Sequence, residues 1–308
     1  MKKLVDLHVH STFSDGVCTP QELVSMAKSA GLTAIAIADH DTVAGVDQAI
    51  TAGIAVGVEV LPAIEFSVEF KGYRDVHLLG YCLDHRDPIL LDTLDAFREK
   101  REKRGGAIVE RLNEKLRFEG RERISQEAVS ALAGGSLGRP HIAQILIRQG
   151  LVKDMQEAFV RYLIPCDVPK RYFPIAEAID LIRRLHGAAV LAHPMHITKE
   201  HCELVSIIDS LVPLGLDGIE SWHNGATAND SAFLSAVAEK RGLICTGGSD
   251  FHGIEEGVAM GIGRGELQVG YESVALLKGL HEGRLIPGAP SSPPPARRGR
   301  AGDRRECP

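Results

Sequence analysis

With 308 residues, 44% of them apolar and 25% charged, the chain has the make-up of a soluble globular protein, neither fibrous nor wholly disordered, and fits one α/β barrel or two ordinary domains. A formal net charge of −6 opposes a broad basic footprint for duplex nucleic acid but leaves room for a small anionic substrate in a local basic pocket. Asp6 and His8 interrupt the apolar stretch after Met1-Lys2-Lys3, and no later run approaches the roughly 20 apolar residues of a spanning helix, so no signal-peptide core or membrane span is expected and the default location is cytoplasmic.

Short runs rich in Val, Ile and Ala alternate with helical patterns, which predicts βα units and a largely parallel sheet. The first strand, Leu4–His10, carries Asp6, His8 and His10 at every second position, so all three are expected on one face. It runs into the loop Ser11–Gly16, which puts the histidine pair at the C-terminal end of the strand, where barrel active sites lie. The helix that follows has its start written out: Thr19 as N-cap, Pro20 at the first helical position, Glu22 closing a capping box, and Gly31 ending it. A second strand, Thr33–Asp39, delivers Asp39-His40-Asp41. The third, Val58–Glu65, ends on Glu65, and the fourth, Val76–Leu83, begins beside Asp75 and contains His77.

From Asp87 to about Tyr172 the pattern is helical throughout, a helical insertion that opens with the charged stretch Arg98–Arg104, whose simplest use is a solvated helix face. From Pro174 the alternation resumes, with strands at Ala188–His193, Leu216–Trp222 and Leu243–Asp250. Ala188–His193 is closed by Pro194, and Asp250 and His252 share a face by the period of two. The last stretch, Gly288–Pro308, is rich in Pro, Ser, Gly and Arg and is expected to be a disordered tail. The organisation is thus a barrel in two parts, 1–86 and 174–287, an insertion at 87–173, and a tail at 288–308. The six cysteines, Cys18, Cys82, Cys166, Cys202, Cys245 and Cys307, form no C-x-x-C pair and read as reduced small hydrophobes.

Six histidines (His8, His10, His40, His77, His193, His252) and three carboxylates (Asp15, Glu65, Asp250) thus gather at strand ends. Four to six donors saturate one ion, so this set calls for two or three divalent ions with a carboxylate bridging. The absence of cysteine from the set favours catalytic Mn, Zn or Fe over a closed structural zinc site. His85, His186, His196, His201, His223 and His281 are expected to be ordinary surface or helix residues. Of these, His223, close after Glu220 at a strand end, is the best placed to line the site.

Taken together, Asp6-Leu-His-Val-His10, Ser14-Asp-Gly16, Ala38-Asp-His-Asp41, Ala63-Ile-Glu65, Ala192-His-Pro194 and Gly248-Ser-Asp-Phe-His252 resemble the PHP (polymerase and histidinol phosphatase) family of metal-dependent phosphoesterases, over roughly 1–84 and 174–286. The resemblance implies a distorted (β/α)7 barrel with a trinuclear site. His8, His10, Glu65 and Asp250 would hold one ion, Asp15, His40 and His252 a second, and Glu65, His77 and His193 a third, with manganese the first choice of metal. Ser136-Leu-Gly-Arg-Pro-His141 and Arg101-Glu-Lys-Arg104 resemble the insertion of bacterial PHP enzymes that hydrolyse nucleoside 3′,5′-bisphosphates and trim short 5′-phosphorylated RNA. By that resemblance the insertion caps the barrel mouth, and Arg101, Arg104, Arg139 and His141 contact substrate phosphates, for which the planar guanidinium fork is suited.

The implied reaction is hydrolysis of the 3′-phosphate of a nucleoside 3′,5′-bisphosphate, such as 3′-phosphoadenosine 5′-phosphate, to a nucleoside 5′-monophosphate and phosphate. Hydroxide generated at the metals would attack in line, Arg139 and the third metal steadying the equatorial oxygens and Arg101 and Arg104 holding the 5′-phosphate. The sequence does not identify a general acid. Action on 5′-phosphorylated oligonucleotides is an extension of the same reading. The alternatives are a phosphatase for another small phosphoester, such as histidinol phosphate, and a non-catalytic barrel that binds metal or nucleic acid.

Overall fold

The computed structural model describes residues 3–133, 137–168, 173–265 and 267–285; the expected tail, Ser136 and the side chain of Asp75 lie outside the described residues. The apolar runs become β1 (Leu4–Val9), β2 (Ala34–Ile37), β3 (Glu59–Phe70), β4 (Tyr73–Tyr81), β6 (Ala188–Leu191), β7 (Gly218–His223) and β8 (Ile244–Gly248), joined by the two-residue strands β5 (Phe173–Pro174) and β9 (Val269–Gly270). They form one sheet in the order β8-β7-β6-β4-β3-β2-β1-β9, with β5 paired to β3. β1, β2 and β3 run parallel, as do β6, β7 and β8. β4 runs against both of its neighbours.

That reversal distorts the barrel, and its cause is local. β3 continues five residues past Glu65, because Phe66, Val68 and Phe70 keep one face buried, and then turns through Lys71-Gly72 with φ of 46° and 82°. Two consecutive left-handed residues make the tight hairpin turn that matches strand twist, and glycine adopts that conformation without strain. No crossover helix intervenes between these two strands. The sheet nearly closes on itself where the segment after β8 meets the end of β1: Asp250 N donates to His8 O at 2.8 Å and His10 N donates to Phe251 O at 2.9 Å. Gly248 makes the approach possible, since a Cβ there would lie 2.3 Å from His8 Cβ.

Ten α-helices are found among the described residues: α1 (Pro20–Ser29), α2 (Val46–Val56), α3 (Pro88–Phe118), α4 (Gln126–Ala133), α5 (Arg139–Arg148), α6 (Met155–Ala158), α7 (Ile175–Arg184), α8 (His201–Leu211), α9 (Ala228–Arg241) and α10 (Glu272–Leu285). α1 starts on the expected capping box, Thr19 and Glu22 bonding reciprocally, and gives way to Gly31 in the left-handed region. One apolar cluster, built largely of small side chains, includes Leu7, Ala36, Ala63, Leu79, Tyr81 and Val190. A larger one joins strands to α7, α8 and α9.

The segment between β4 and β5 has a core of its own, including Ile108, Leu112, Leu116, Ile142, Leu146 and Tyr162. α3 links the two. Its first turns bury Leu90 and Leu94 in the barrel-side core, and its last turns bury Ile108 to Leu116 in the other. Arg101 and Arg104 lie at the crossing. No helix among the described residues is long and apolar enough to cross a membrane. Cys18, Cys82, Cys166 and Cys245 are free thiols.

Candidate metal centre

β1 delivers the first imidazoles, though not by simple alternation. Its register against β2 slips between Asp6 and Val9. This bulge sends Asp6 away from His8 and His10, to accept from Ser249 N at 2.9 Å, Ser249 Oγ at 2.6 Å and Gly261 N at 2.6 Å. The expected common face for all three is therefore corrected: Asp6 braces the turn that carries Asp250. Burial nevertheless pushes its carboxyl up, against those hydrogen bonds.

His8 Nε2 and His10 Nε2 stand 3.1 Å apart. Glu65 Oε2 is 3.3 Å from each, and Asp250 Oδ1 is 3.4 and 3.0 Å from them. Atoms about 2.1 Å from a shared ion stand about 3.0–3.4 Å from one another, so these spacings suit one cation. The second group is His10, Asp15, His40 and His252, whose donor atoms lie within 4.8 Å of one another. The third is built on the other side of Glu65, with His77 Nδ1 and His193 Nε2 each 3.0 Å from Oε1, while His40 Nδ1 is 3.0 Å from Oε2. Glu65 thus faces five imidazoles with two oxygens, the arrangement of a bridging carboxylate.

Among the described residues, Glu65 Oε2 and Asp15 Oδ1 are buried oxygens that accept no hydrogen bond. Buried carboxylate oxygens close to nitrogens yet without a directed donor are costly unless a cation completes them. Burial raises the pKa of Glu65, Asp15 and Asp250, but the surrounding imidazoles outweigh it and hold all three well below the usual carboxylate range. The donor set therefore fits divalent ions: anionic oxygens with imidazole nitrogens and no thiolate.

Three of these positions carry backbone strain. Asp41, His193 and Asp250 have φ of 52°, 27° and 52°, values uncommon for residues other than glycine. Around His40, Asp39 and Asp41 act as braces. Asp39 accepts from Ser11 N (2.7 Å), Ser11 Oγ (2.6 Å) and Ser14 Oγ (2.6 Å), fixing the loop that carries Asp15. Asp41 accepts from Ser67 N at 2.8 Å and pairs with Arg101 at 3.1 Å.

Three further residues, Glu220, His223 and His196, adjoin the nine ligand candidates. Glu220 Oε1 sits 3.0 Å from His8 Nδ1, and its Oε2 accepts from His193 N at 2.7 Å. His223, the one remaining histidine singled out beside this strand end, accepts from Gly225 N on Nδ1 at 2.9 Å, so Nε2 carries the proton and donates to Asp250 Oδ2 at 3.4 Å. The available signal for Glu220 was a carboxylate inside an apolar strand, the same signal as Glu65. His196, expected to be an ordinary surface residue, has its ring 4.8 Å from that of His193 and 4.9 Å from that of His223.

Four expected substrate contacts remain, all in the segment between β4 and β5. Arg101 reaches the rim of the centre, on Asp41 and the His40 carbonyl. His141 is buried, accepts from Gly138 N at 3.0 Å and meets the Ser14 carbonyl beside Asp15. Arg104 and Arg139 instead converge on Asp167, at 2.7 and 3.4 Å.

Comparison with known proteins agrees with this geometry. The PHP domain model matches residues 6–164. Over 255 residues, 82% of this chain and 91% of the relative, it is 34% identical to a 5′-3′ exoribonuclease of Haemophilus influenzae. It is 31% identical to a 3′,5′-nucleoside bisphosphate phosphatase of Chromobacterium violaceum over 259 residues, 82% of this chain and 88% of the relative. A crystal structure of a protein from Bifidobacterium adolescentis, assigned as a metal-dependent phosphoesterase, superposes with a TM-score of 0.78 at 28% identity, covering 90% of this chain and 96% of that one. The chain belongs to the PHP family and is a metal-dependent phosphoesterase.

Proposed function

We propose that the enzyme removes the 3′-phosphate of nucleoside 3′,5′-bisphosphates and, by the same chemistry, shortens 5′-phosphorylated RNA from its 5′ end. The observation that carries this reading is the place of Arg101: a guanidinium anchored on Asp41 at 3.1 Å, beside a cluster of nine potential metal ligands. A site for the reacting phosphate and a cation for a second phosphate thus adjoin. The Haemophilus and Chromobacterium relatives, an exoribonuclease and a bisphosphate phosphatase by name, support the same pair of substrates.

In this reading His8, His10, Glu65 and Asp250 would hold one ion, Asp15, His40 and His252 with His10 a second, and Glu65, His77 and His193 a third, manganese being the first choice for such nitrogen and oxygen donors. When bound, divalent ions supply positive charge to the phosphoryl oxygens and hydroxide near neutral pH. Glu220 and His223 orient His8 and Asp250. Arg101, Arg104, Arg139 and His141 hold the substrate's phosphates, so that the scissile group is delivered to the cluster while the 5′-phosphate stays on the cap. Water adds to phosphorus, the P–O3′ bond breaks, and the ribose oxygen leaves with a proton.

The test compares manganese-supplemented enzyme on 3′-phosphoadenosine 5′-phosphate, adenosine 3′-phosphate and histidinol phosphate, with a series of 5′-phosphorylated oligoribonucleotides. The bisphosphate is expected to be turned over with the highest kcat/KM among the three monomers. Equal turnover of adenosine 3′-phosphate, or full activity after chelation, would sink the reading.

A further inference from the structure

The carboxylate of Asp167 occupies the ground between two of the cap arginines. Arg104 Nη2 lies 2.7 Å from Oδ1 and Arg139 Nη1 3.4 Å from Oδ2. Val168 N donates to Oδ1 at 3.0 Å. Arg104 Nε donates to the Val168 carbonyl at 2.7 Å, and Arg111 donates to the Asp167 carbonyl at 2.6 Å. Two guanidinium groups and a main-chain N–H around one anion form the kind of nest that also receives phosphate. Arg104 follows Arg101 by three residues, so both share a face of α3. The contact is not sealed in the core: the side chains of Arg104, Arg139 and Asp167 are 17%, 31% and 36% exposed.

We propose that Asp167 is an internal competitor for the subsite that receives the terminal phosphate of the substrate. In the free enzyme the carboxylate fills the nest; a phosphate monoester, with more negative charge and three free oxygens, takes its place on Arg104 and Arg139. Binding there is an exchange of one anion for another. The cost of releasing Asp167 is therefore common to every anion that enters, and it sets a threshold that weakly bound anions fail to reach. A neutral group does not displace the carboxylate. The inference rests on the function proposed above and deepens it: Asp167 sets how strongly the enzyme demands a charged 5′ end. A carboxylate that serves only to brace the two arginines predicts the opposite sign, because its loss would loosen them and weaken phosphate binding.

The experiment is calorimetric titration of the manganese-loaded enzyme with adenosine 5′-monophosphate, adenosine 5′-methyl phosphate and adenosine. In Asp167→Asn the first two are expected to bind about fivefold tighter, by a common factor fitting for a partly exposed ion pair, with adenosine unchanged. Asp167→Ser is expected to behave alike. The gain should vanish when Arg104→Ala is added. Weaker or unaltered binding of adenosine 5′-monophosphate in both variants overturns the proposal, as does a gain that survives Arg104→Ala. If the wild-type enzyme favours 5′-phosphorylated substrates while Asp167→Asn changes nothing, the inference alone falls. If the wild-type enzyme is indifferent to the 5′-phosphate, the functional reading falls with it.

Discussion

Glu220 Oε1 lies 3.0 Å from His8 Nδ1, on the ring edge opposite the nitrogen that faces Glu65 and Asp250. The carboxylate holds the Nδ1 proton and the plane of the imidazole, so that Nε2 is the nitrogen a cation would take in exchange for its proton, and burial of both side chains keeps the contact from being screened. Glu220→Gln is therefore expected to lower manganese affinity by about 10- to 100-fold, read by titration of chelator-stripped protein. Wild-type affinity in that variant would mean that Glu220 does not orient the ligand.

Metal loading is expected to release protons near neutral pH. Burial lowers the pKa of His252, but Asp15 and Asp250 outweigh it and bring the imidazole up to about 10 in the metal-free protein. His8 is raised well above 6.5 by Glu65, Glu220 and Asp250 against its own burial. Such imidazoles hold a proton that a cation must displace, so affinity should strengthen as pH rises toward about 10. Binding enthalpies in two buffers of different ionisation enthalpy should differ accordingly; identical values would contradict the charge states. The sign for the metal-free fold is the reverse. Stabilisation by the His252–Asp15 contact is complete below 6.5 and is lost as pH rises through about 10.

Closure of the barrel hangs on a missing side chain. Gly248→Ala would place a methyl group 2.3 Å from His8 Cβ, so β8 must draw back from β1. The expected cost is about 1–3 kcal/mol of unfolding free energy, visible as a lower urea midpoint, together with weaker metal binding because His8 shifts.

Asp41 ties Arg101 to the end of β2. Asparagine tolerates the left-handed backbone found there and can keep the bond from Ser67 N, but it lacks the charge that holds the guanidinium. Asp41→Asn should raise KM for 3′-phosphoadenosine 5′-phosphate about 3- to 10-fold and leave KM for adenosine 3′-phosphate unaltered. An equal rise for both substrates would place Asp41 elsewhere in the mechanism.

Much of this could be read from the chain before any coordinates. Strands buried on both faces appear as nearly unbroken apolar runs, so a histidine or carboxylate ending such a run stands out, as His40, His193 and Asp250 do. The Thr19 and Glu22 cap is local chemistry and was equally legible. What escaped depends on register and distance. The bulge in β1 that turns Asp6 from the imidazoles is set by pairing with β2, and no spacing within the segment announces it. Glu220 acquires its role from His8, 212 residues earlier. Arg104 and Arg139 read as basic residues on two helices, and nothing nearby in sequence shows that Asp167 gathers both.

α3, at 31 residues, is rooted at one end among Leu90 and Leu94 and at the other among Ile108, Leu112 and Leu116. A barrel excised without that helix would lose the lid over its own oily flank, and a cap excised without it would lose its spine. Neither half is a ready-made cassette for transplantation. Grafts between relatives need to cut on either side of the whole rod, never through its middle.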